Sequence, residues 1–137
     1  MTTRFHDRHD AGGQLAALLE PYRGARPVIV GIPRGGVPVA AEVARALGSP
    51  LDIAVVRKVG APRNQEYAIG AVAEGGVRLL NDEAVRTLRI STAQLLSLLA
   101  RAESDLHERL RRYRGVRSPV ALGGRMAILV DDGLATG

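Results

Sequence analysis

Two mainly apolar runs, separated by a helical segment, constrain the fold of this chain more than any other feature. Residues 27–32 (PVIVGI) and 51–56 (LDIAVV) have the pattern of strands that are buried on both faces of a sheet. Between them, a glycine-containing turn at residues 33–36 precedes a helix with Pro38 in its first turn and its end at about Leu47. A strand, a helix and a strand in this order form a βαβ unit, whose two strands are parallel. The sequence therefore predicts an α/β fold, with a parallel sheet and flanking helices.

Segments before and after this unit supply further elements. Residues 7–22 predict a helix with Leu15, Leu18 and Leu19 on one face. Residues 57–67 are polar and rich in turn-forming residues, so they are interpreted as a surface loop.

The second half of the chain contains three more signals. Residues 68–73 and 77–80 lie on either side of a glycine pair and predict a hairpin. Residues 91–94 (STAQ) form a capping box at the start of a long amphipathic helix. Residues 125–130 (RMAILV) predict a third buried strand. Together these elements predict a single domain over residues 1–137.

Composition narrows the classes of function. Aromatic residues make up 3% of the chain, which disfavours modules that bind nucleic acid by base stacking. The absence of cysteine excludes disulfides and thiolate chemistry. No apolar run approaches the roughly 20 residues needed to cross a bilayer, and no signal peptide is evident, so a cytoplasmic protein without a membrane partner is expected. The net charge of +5 suits phosphate-rich ligands, a nucleic acid or a solvated surface.

The strongest functional signal is the transition from an apolar strand to two carboxylates. The run Ala127–Val130 is followed by Asp131 and Asp132, and then by the small-residue segment 133–137 (GLATG). Ligands of open α/β sheets bind beyond the carboxyl ends of the strands. Backbone N–H groups of such a loop can surround a phosphate, and two carboxylates can accept hydrogen bonds from the vicinal hydroxyls of a ribose. The motif therefore predicts a sugar-phosphate site.

This motif resembles the signature of type I phosphoribosyltransferases, and other features of that family follow in order from Phe5 to Gly137. Such enzymes transfer a 5-phosphoribosyl group from 5-phosphoribosyl 1-pyrophosphate (PRPP) to a nitrogenous base or similar acceptor and release pyrophosphate. The resemblance implies Mg²⁺ as the cofactor, held mainly by the substrate's own oxygens rather than by protein ligands. It does not identify the acceptor.

The resemblance also implies roles for individual residues. Asp131, Asp132 and Lys58 are expected to be catalytic, the carboxylates by positioning the ribose and Lys58 by offsetting the charge of the departing pyrophosphate. The residues expected to bind substrate are Arg34, Gly35 and Gly36 in the pyrophosphate loop, Arg57 beside a catalytic lid, and Gly133, Leu134, Ala135, Thr136 and Gly137 in the phosphate loop. A cis peptide beside Arg34 is a further expectation.

In the family, more chain follows the phosphate loop. The resemblance therefore implies a domain whose C-terminal part is missing after Gly137, and whose activity is impaired. The apolar strand at residues 126–130 would then have an open edge. Pairing of that edge with a second copy predicts a homo-oligomer.

Two other functions remain open at this point. A regulator that keeps the PRPP fold but binds RNA or DNA would use the arginines at the end of the long helix, which are Arg109, Arg111, Arg112, Arg114 and Arg117. A solvated helix end explains the same arginines, so nucleic acid is not the expected partner. The chain could also be a purely structural fragment. For the acidic motif itself, the alternative is a turn at the end of a strand, with an aspartate as the N-cap of a following helix.

Overall fold

The computed structural model describes residues 4–134. Its helices are α1 (Arg8–Leu19), α2 (Gly36–Leu47), α3 (Asp82–Thr87) and α4 (Thr92–Arg114), with a 3₁₀ turn at Glu20–Ala25. Its strands are β1 (Val28–Gly31), β2 (Leu51–Ile53), β3 (Val56–Ala61), β4 (Asn64–Ala73), β5 (Val77–Leu80) and β6 (Ala127–Val130). The chain divides into two units: residues 1–54 with 117–137, here called the parallel unit, and residues 55–116, here called the hairpin unit.

The parallel unit is built around β1. This strand lies between β2 and β6 and is parallel to both. Val28, Ile29 and Val30 are almost completely buried, as the apolar run predicts. The predicted βαβ unit and α/β fold are thus confirmed, although β2 is shorter than expected and ends at Ile53.

Helix α2 covers the sheet with its apolar side. Its buried residues are Gly36, Val39, Ala40, Val43, Ala44 and Leu47. All but Gly36 form one core cluster with Ile29 of β1 and Val130 of β6. Burying each large aliphatic side chain contributes about 1.5–3 kcal/mol, so this cluster holds the parallel unit together.

Asp52 is the one charged residue within the second apolar run, and it is buried. Its Oδ2 accepts a hydrogen bond from the Val120 backbone N–H (2.8 Å), and its Oδ1 accepts one from the Ile53 N–H (2.8 Å). These contacts satisfy the carboxylate. They also attach the segment before β6 to β2, which explains the carboxylate in an otherwise apolar strand.

Helix α1 packs against α2 through a face that differs from the predicted one. Gly12 and Ala16 are buried, and Leu15 and Leu19 pack at the edge of the core cluster. Leu18 is exposed, so its assignment to the packed face was wrong. The contacting residues follow the i, i+3, i+4, i+7 spacing that begins at Gly12.

A substitution at Gly12 tests this close approach. An added Cβ would lie 2.5 Å from Glu42 Cβ and 2.9 Å from the Val39 carbonyl oxygen. We expect Gly12→Ala to lower the free energy of unfolding by about 1–3 kcal/mol, because the two helices must separate to admit the methyl group. Urea denaturation measures the change.

The matched control is the neighbouring glycine of the same helix. Gly13 is exposed, and a Cβ added there meets nothing within 4 Å. Gly13→Ala should therefore raise the free energy of unfolding by up to about 1 kcal/mol through helix propensity. Equal effects of the two substitutions would contradict the assigned packing.

Strand β6 is less buried than the sequence predicts. Ile128 and Val130 face the core cluster, whereas Leu129 is 66% exposed. The prediction of a strand buried on both faces was wrong for residues 125–130. Successive side chains of a strand point to opposite faces, and within the described residues only the side toward α2 is covered.

The hairpin unit contains the antiparallel sheet β3-β4-β5, and α4 packs against β3 and β4. The predicted hairpin of β4 and β5 is confirmed, although β4 begins earlier, at Asn64. The interpretation of residues 57–67 as a surface loop was wrong, since β3 and β4 pair through most of that segment. The apolar face of this strand pair is supplied by the buried Val59 and Ala61 of β3 and by the buried Ile69 of β4.

The predicted capping box of α4 is also confirmed. The Gln94 N–H donates to Ser91 Oγ (3.1 Å), and the Ser91 N–H donates to Gln94 Oε1 (3.0 Å). Leu99, Ala102 and Leu106 are the buried residues of this helix. In the part of the chain from residue 4 to 134, no helix is long and apolar enough to span a bilayer.

Candidate functional site

The candidate site lies where β1 and β6 end side by side. Gly31 and Val130 are register partners, and the Ile32 N–H donates to the Val130 carbonyl oxygen at 2.9 Å. The turn after β1 and the carboxylates after β6 therefore begin at the same edge of the sheet. This is the edge at which parallel sheets bind their ligands.

The turn at residues 33–36 has an unusual backbone. The peptide bond between Pro33 and Arg34 is cis, as expected from the resemblance. The Gly36 N–H donates to the Ile32 carbonyl oxygen at 3.0 Å, which joins the turn to the start of α2. The Arg34 side chain is exposed, so its five N–H donors are available to an anion.

The two glycines of this turn lie against the two carboxylates. A Cβ added at Gly36 would lie 2.6 Å from the Val130 carbonyl oxygen and 2.9 Å from Asp131 Cα. One added at Gly35 would lie 2.0 Å from Asp132 Oδ2. At Gly36 backbone atoms exclude a side chain, whereas at Gly35 an added Cβ would displace the ends of the Asp132 and Arg8 side chains. The glycines thus lie where the turn and the acidic segment approach each other.

Asp132 has a partner that the sequence analysis missed. Its Oδ2 accepts hydrogen bonds from Arg8 Nη2 (2.9 Å) and Arg8 Nε (3.3 Å). The Arg8 guanidinium thereby holds the pKa of Asp132 below its ordinary value. The only sequence signal for this contact is the place of Arg8 in the first turn of α1, where a positive charge opposes the helix dipole.

Asp131 is engaged by the backbone instead. Its Oδ1 accepts a hydrogen bond from the Asp132 N–H at 2.8 Å. The hydrogen bonds among the described residues thus occupy one oxygen of Asp131 and one oxygen of Asp132. Each exposed carboxylate keeps a second oxygen that can accept a hydrogen bond from a ligand.

The predicted phosphate loop is described only at its beginning. Gly133 and Leu134 are exposed, and a Cβ at Gly133 meets nothing within 4 Å. Ala135, Thr136 and Gly137 lie outside the described residues. The role of this segment in phosphate binding stays a prediction.

Arg57 and Lys58 belong to the hairpin unit. They lie near the start of β3, so their expected position at a strand end followed by a loop was wrong. Arg57 forms an ion pair with Asp105 (3.5 Å), and Lys58 is exposed. Their expected roles toward the substrate stay predictions.

Two arginines of the alternative nucleic-acid surface have carboxylate partners. Arg112 pairs with Glu108 (3.2 Å) and Arg114 pairs with Glu74 (2.7 Å). The Arg114 side chain is only 8% exposed. Phosphate contacts need accessible cations, so these pairs weaken the case for that surface.

Metal ligation by the protein alone has no support among residues 4–134, where no three His, Cys, Asp or Glu side chains are grouped to hold an ion. The acidic pair at residues 131–132 is the donor set beside the turn. Magnesium commonly combines one or two carboxylates with phosphate oxygens of a substrate. The donor chemistry of the site fits an ion that arrives with a phosphorylated ligand.

Comparison with known proteins identifies the family of the chain. The family model described as "Phosphoribosyl transferase domain" matches residues 5–137. Two Mycobacterium tuberculosis proteins, from strains CDC 1551 and H37Rv, are 48% identical to this chain over 133 residues. Both carry the name "Putative phosphoribosyl transferase". The alignment covers 97% of this chain and 30% of each relative.

A solved structure gives the same result for the fold. The crystal structure of TT1426 from Thermus thermophilus is 49% identical in sequence and superposes with a TM-score of 0.81. The match covers 95% of this chain and 62% of the solved chain. This chain therefore spans less than two thirds of the length of these relatives.

Proposed function

This chain belongs to the type I phosphoribosyltransferase family, and we propose that it transfers a 5-phosphoribosyl group from PRPP to a nitrogenous acceptor and releases pyrophosphate. The observation that carries the proposal is the contact of Gly35 and Gly36 with Asp131 and Asp132. It brings a turn suited to an anion together with carboxylates suited to a ribose.

The two halves of the site match the two halves of PRPP. The exposed Arg34 and the backbone N–H of Gly35 provide donors for a diphosphate, whereas the Gly36 N–H is already donated to the Ile32 carbonyl oxygen. Arg guanidinium groups bind phosphate through paired N–H donors. The free oxygens of Asp131 and Asp132 accept from the two ribose hydroxyls. The first residues of the predicted phosphate loop, residues 133–134, come directly after Asp132 in the sequence.

The reaction needs no nucleophile from the protein. A nitrogen of the acceptor attacks the anomeric carbon of the ribose, the bond from that carbon to the pyrophosphate oxygen breaks, and the acceptor nitrogen loses its proton. Positive charge develops on the sugar ring in the transition state, beside Asp131 and Asp132. Fixed carboxylates that face such a charge lower the barrier by electrostatic stabilisation.

Magnesium fits this scheme as an ion held mainly by PRPP oxygens, with the acidic pair as the available protein donors. When bound, it supplies charge neutralisation to the departing pyrophosphate. Arg34 acts on the same group.

The proposal is tested by calorimetry of the chain with PRPP and Mg²⁺, followed by assays of pyrophosphate release with a panel of nitrogenous bases. We expect saturable binding of PRPP that depends on Mg²⁺, and base-dependent release of pyrophosphate. Binding of RNA with a steep dependence on salt, without any heat from PRPP, would contradict the proposal.

A further inference from the structure

Arg8 occupies a place that neither helix stability nor fold stability explains. It is the first residue of α1, directly after the N-cap Asp7. The N-terminus of a helix carries a partial positive charge and favours anions. The ion pair of Arg8 with Asp132 has side-chain exposures of 58% and 36%, and exposed ion pairs contribute little to stability.

The guanidinium of Arg8 lies against the turn at residues 33–36 as well as against Asp132. Its Nη2 is 3.1 Å from the position of a Cβ added at Gly35. Its Nε and Nη2 both donate to Asp132 Oδ2. Among residues 4–134, Nη1 has no hydrogen-bond acceptor, so this part of the fork is available to a ligand.

The balance of charges around the turn also supports a role for Arg8 in anion binding. Without Arg8, the one positive charge of Arg34 in the turn would be outnumbered by the two negative charges of the acidic pair at residues 131–132. An incoming diphosphate would then meet a net negative charge from these three groups. With Arg8 included, the formal charges of the two arginines and the two aspartates sum to zero. Binding of a highly charged anion requires at least this compensation.

We propose that Arg8 is a pyrophosphate-binding residue: one edge of its guanidinium holds Asp132, and its remaining N–H groups contact the diphosphate seated on residues 33–36. The inference rests on the proposed function. It adds a binding residue from the N-terminal helix, 124 positions away from the carboxylate it holds.

Inorganic pyrophosphate with Mg²⁺ is the probe, because it lacks the ribose that Asp132 would bind. We expect Arg8→Gln to weaken its affinity about 10- to 100-fold in calorimetry, the range for losing one charge-assisted contact. Arg8→Lys keeps the charge but not the fork, so its loss should be smaller. Arg4→Gln removes the same charge near the same end of the chain and should bind like the unaltered protein.

The outcomes separate this inference from the proposed function. If the unaltered chain binds pyrophosphate and Arg8→Gln binds it equally well, the inference is wrong while the proposed function stands. If Arg8→Gln weakens the binding of PRPP but not that of pyrophosphate, Arg8 acts only through Asp132. This result would also overturn the inference. If the unaltered chain binds neither compound, the proposed function itself fails. Thermal melting of each variant checks that it is folded.

Discussion

Replacing Gly36 by alanine is expected to lower the free energy of unfolding by about 3 kcal/mol, at the upper end of the range for overpacking. The added methyl group would meet the Val130 carbonyl oxygen and Asp131 Cα, which are backbone atoms of the sheet edge. Gly36 is the first residue of α2, where alanine would gain at most about 1 kcal/mol from helix propensity. The steric cost exceeds that gain, so the net effect is a loss.

Two other glycines serve as controls in the same denaturation experiment. Gly133→Ala should leave stability nearly unchanged, because nothing lies within 4 Å of the new Cβ. At Gly35 the methyl group meets the end of the Asp132 side chain, which can rotate away. Gly35→Ala should therefore lose PRPP affinity while it keeps most of its stability. A Gly36→Ala variant as stable as the unaltered protein would show that the turn and β6 are less closely packed than described.

The double substitution Asp131→Asn, Asp132→Asn should weaken PRPP binding about 100-fold or more. Each carboxylate offers a ribose hydroxyl a charge-assisted hydrogen bond. The free energies of two lost bonds add, so the corresponding fold-losses in affinity multiply. The same change removes two negative charges from the surroundings of the diphosphate. Binding of inorganic pyrophosphate should therefore be retained or strengthened, and calorimetry with the two ligands measures the divergence.

A control for this experiment removes a carboxylate outside the site. Asp82→Asn changes an exposed residue at the start of α3 and should leave both affinities unaltered. A parallel loss of PRPP and pyrophosphate binding in the double variant would mean that the carboxylates support the turn rather than the ribose.

The elements of the parallel unit were predictable because their signals are local and strong. The run at residues 27–32, the turn after it and the apolar face of α2 identify a βαβ unit without any distant information. The acidic pair after residue 130 then locates the ligand edge. The convergence of Gly35 with Asp132 further requires that β1 and β6 are parallel neighbours, and it is the structure that supplies this strand order.

Strand β3 and the first part of β4, residues 64–67, were missed because their sequence is dominated by an exposed face. Val59 and Ala61 are buried, whereas Lys58 and the tip residues Pro62 and Arg63 are exposed. A half-buried strand needs apolar residues only at alternate positions, and here glycine occupies one intervening position. The polar and turn-forming residues of this segment therefore favoured the prediction of a loop over the weak alternation of apolar and polar residues that marks a strand.

The contact of Arg8 with Asp132 could not be predicted in the same way. It depends on how α1 packs across α2, and that packing depends on the absence of a side chain at Gly12. From the sequence, Gly12 indicates only a weak helix start. Its close contact with α2 depends on the packing of the two helices, which local sequence does not determine.

The order of strands in the parallel unit has a consequence for the way the chain folds. β1 pairs with β2, which follows it closely in the sequence. It also pairs with β6, through residues such as Val28 and Ala127, and the whole hairpin unit lies between these two strands in the sequence. Residues 55–116 are contiguous and can fold as soon as they leave the ribosome, whereas the parallel sheet must wait for β6. Pairing between distant segments is slow because a long loop has to close first. The candidate site can therefore form only after the hairpin unit, which lies between its two halves in the sequence, has been synthesised.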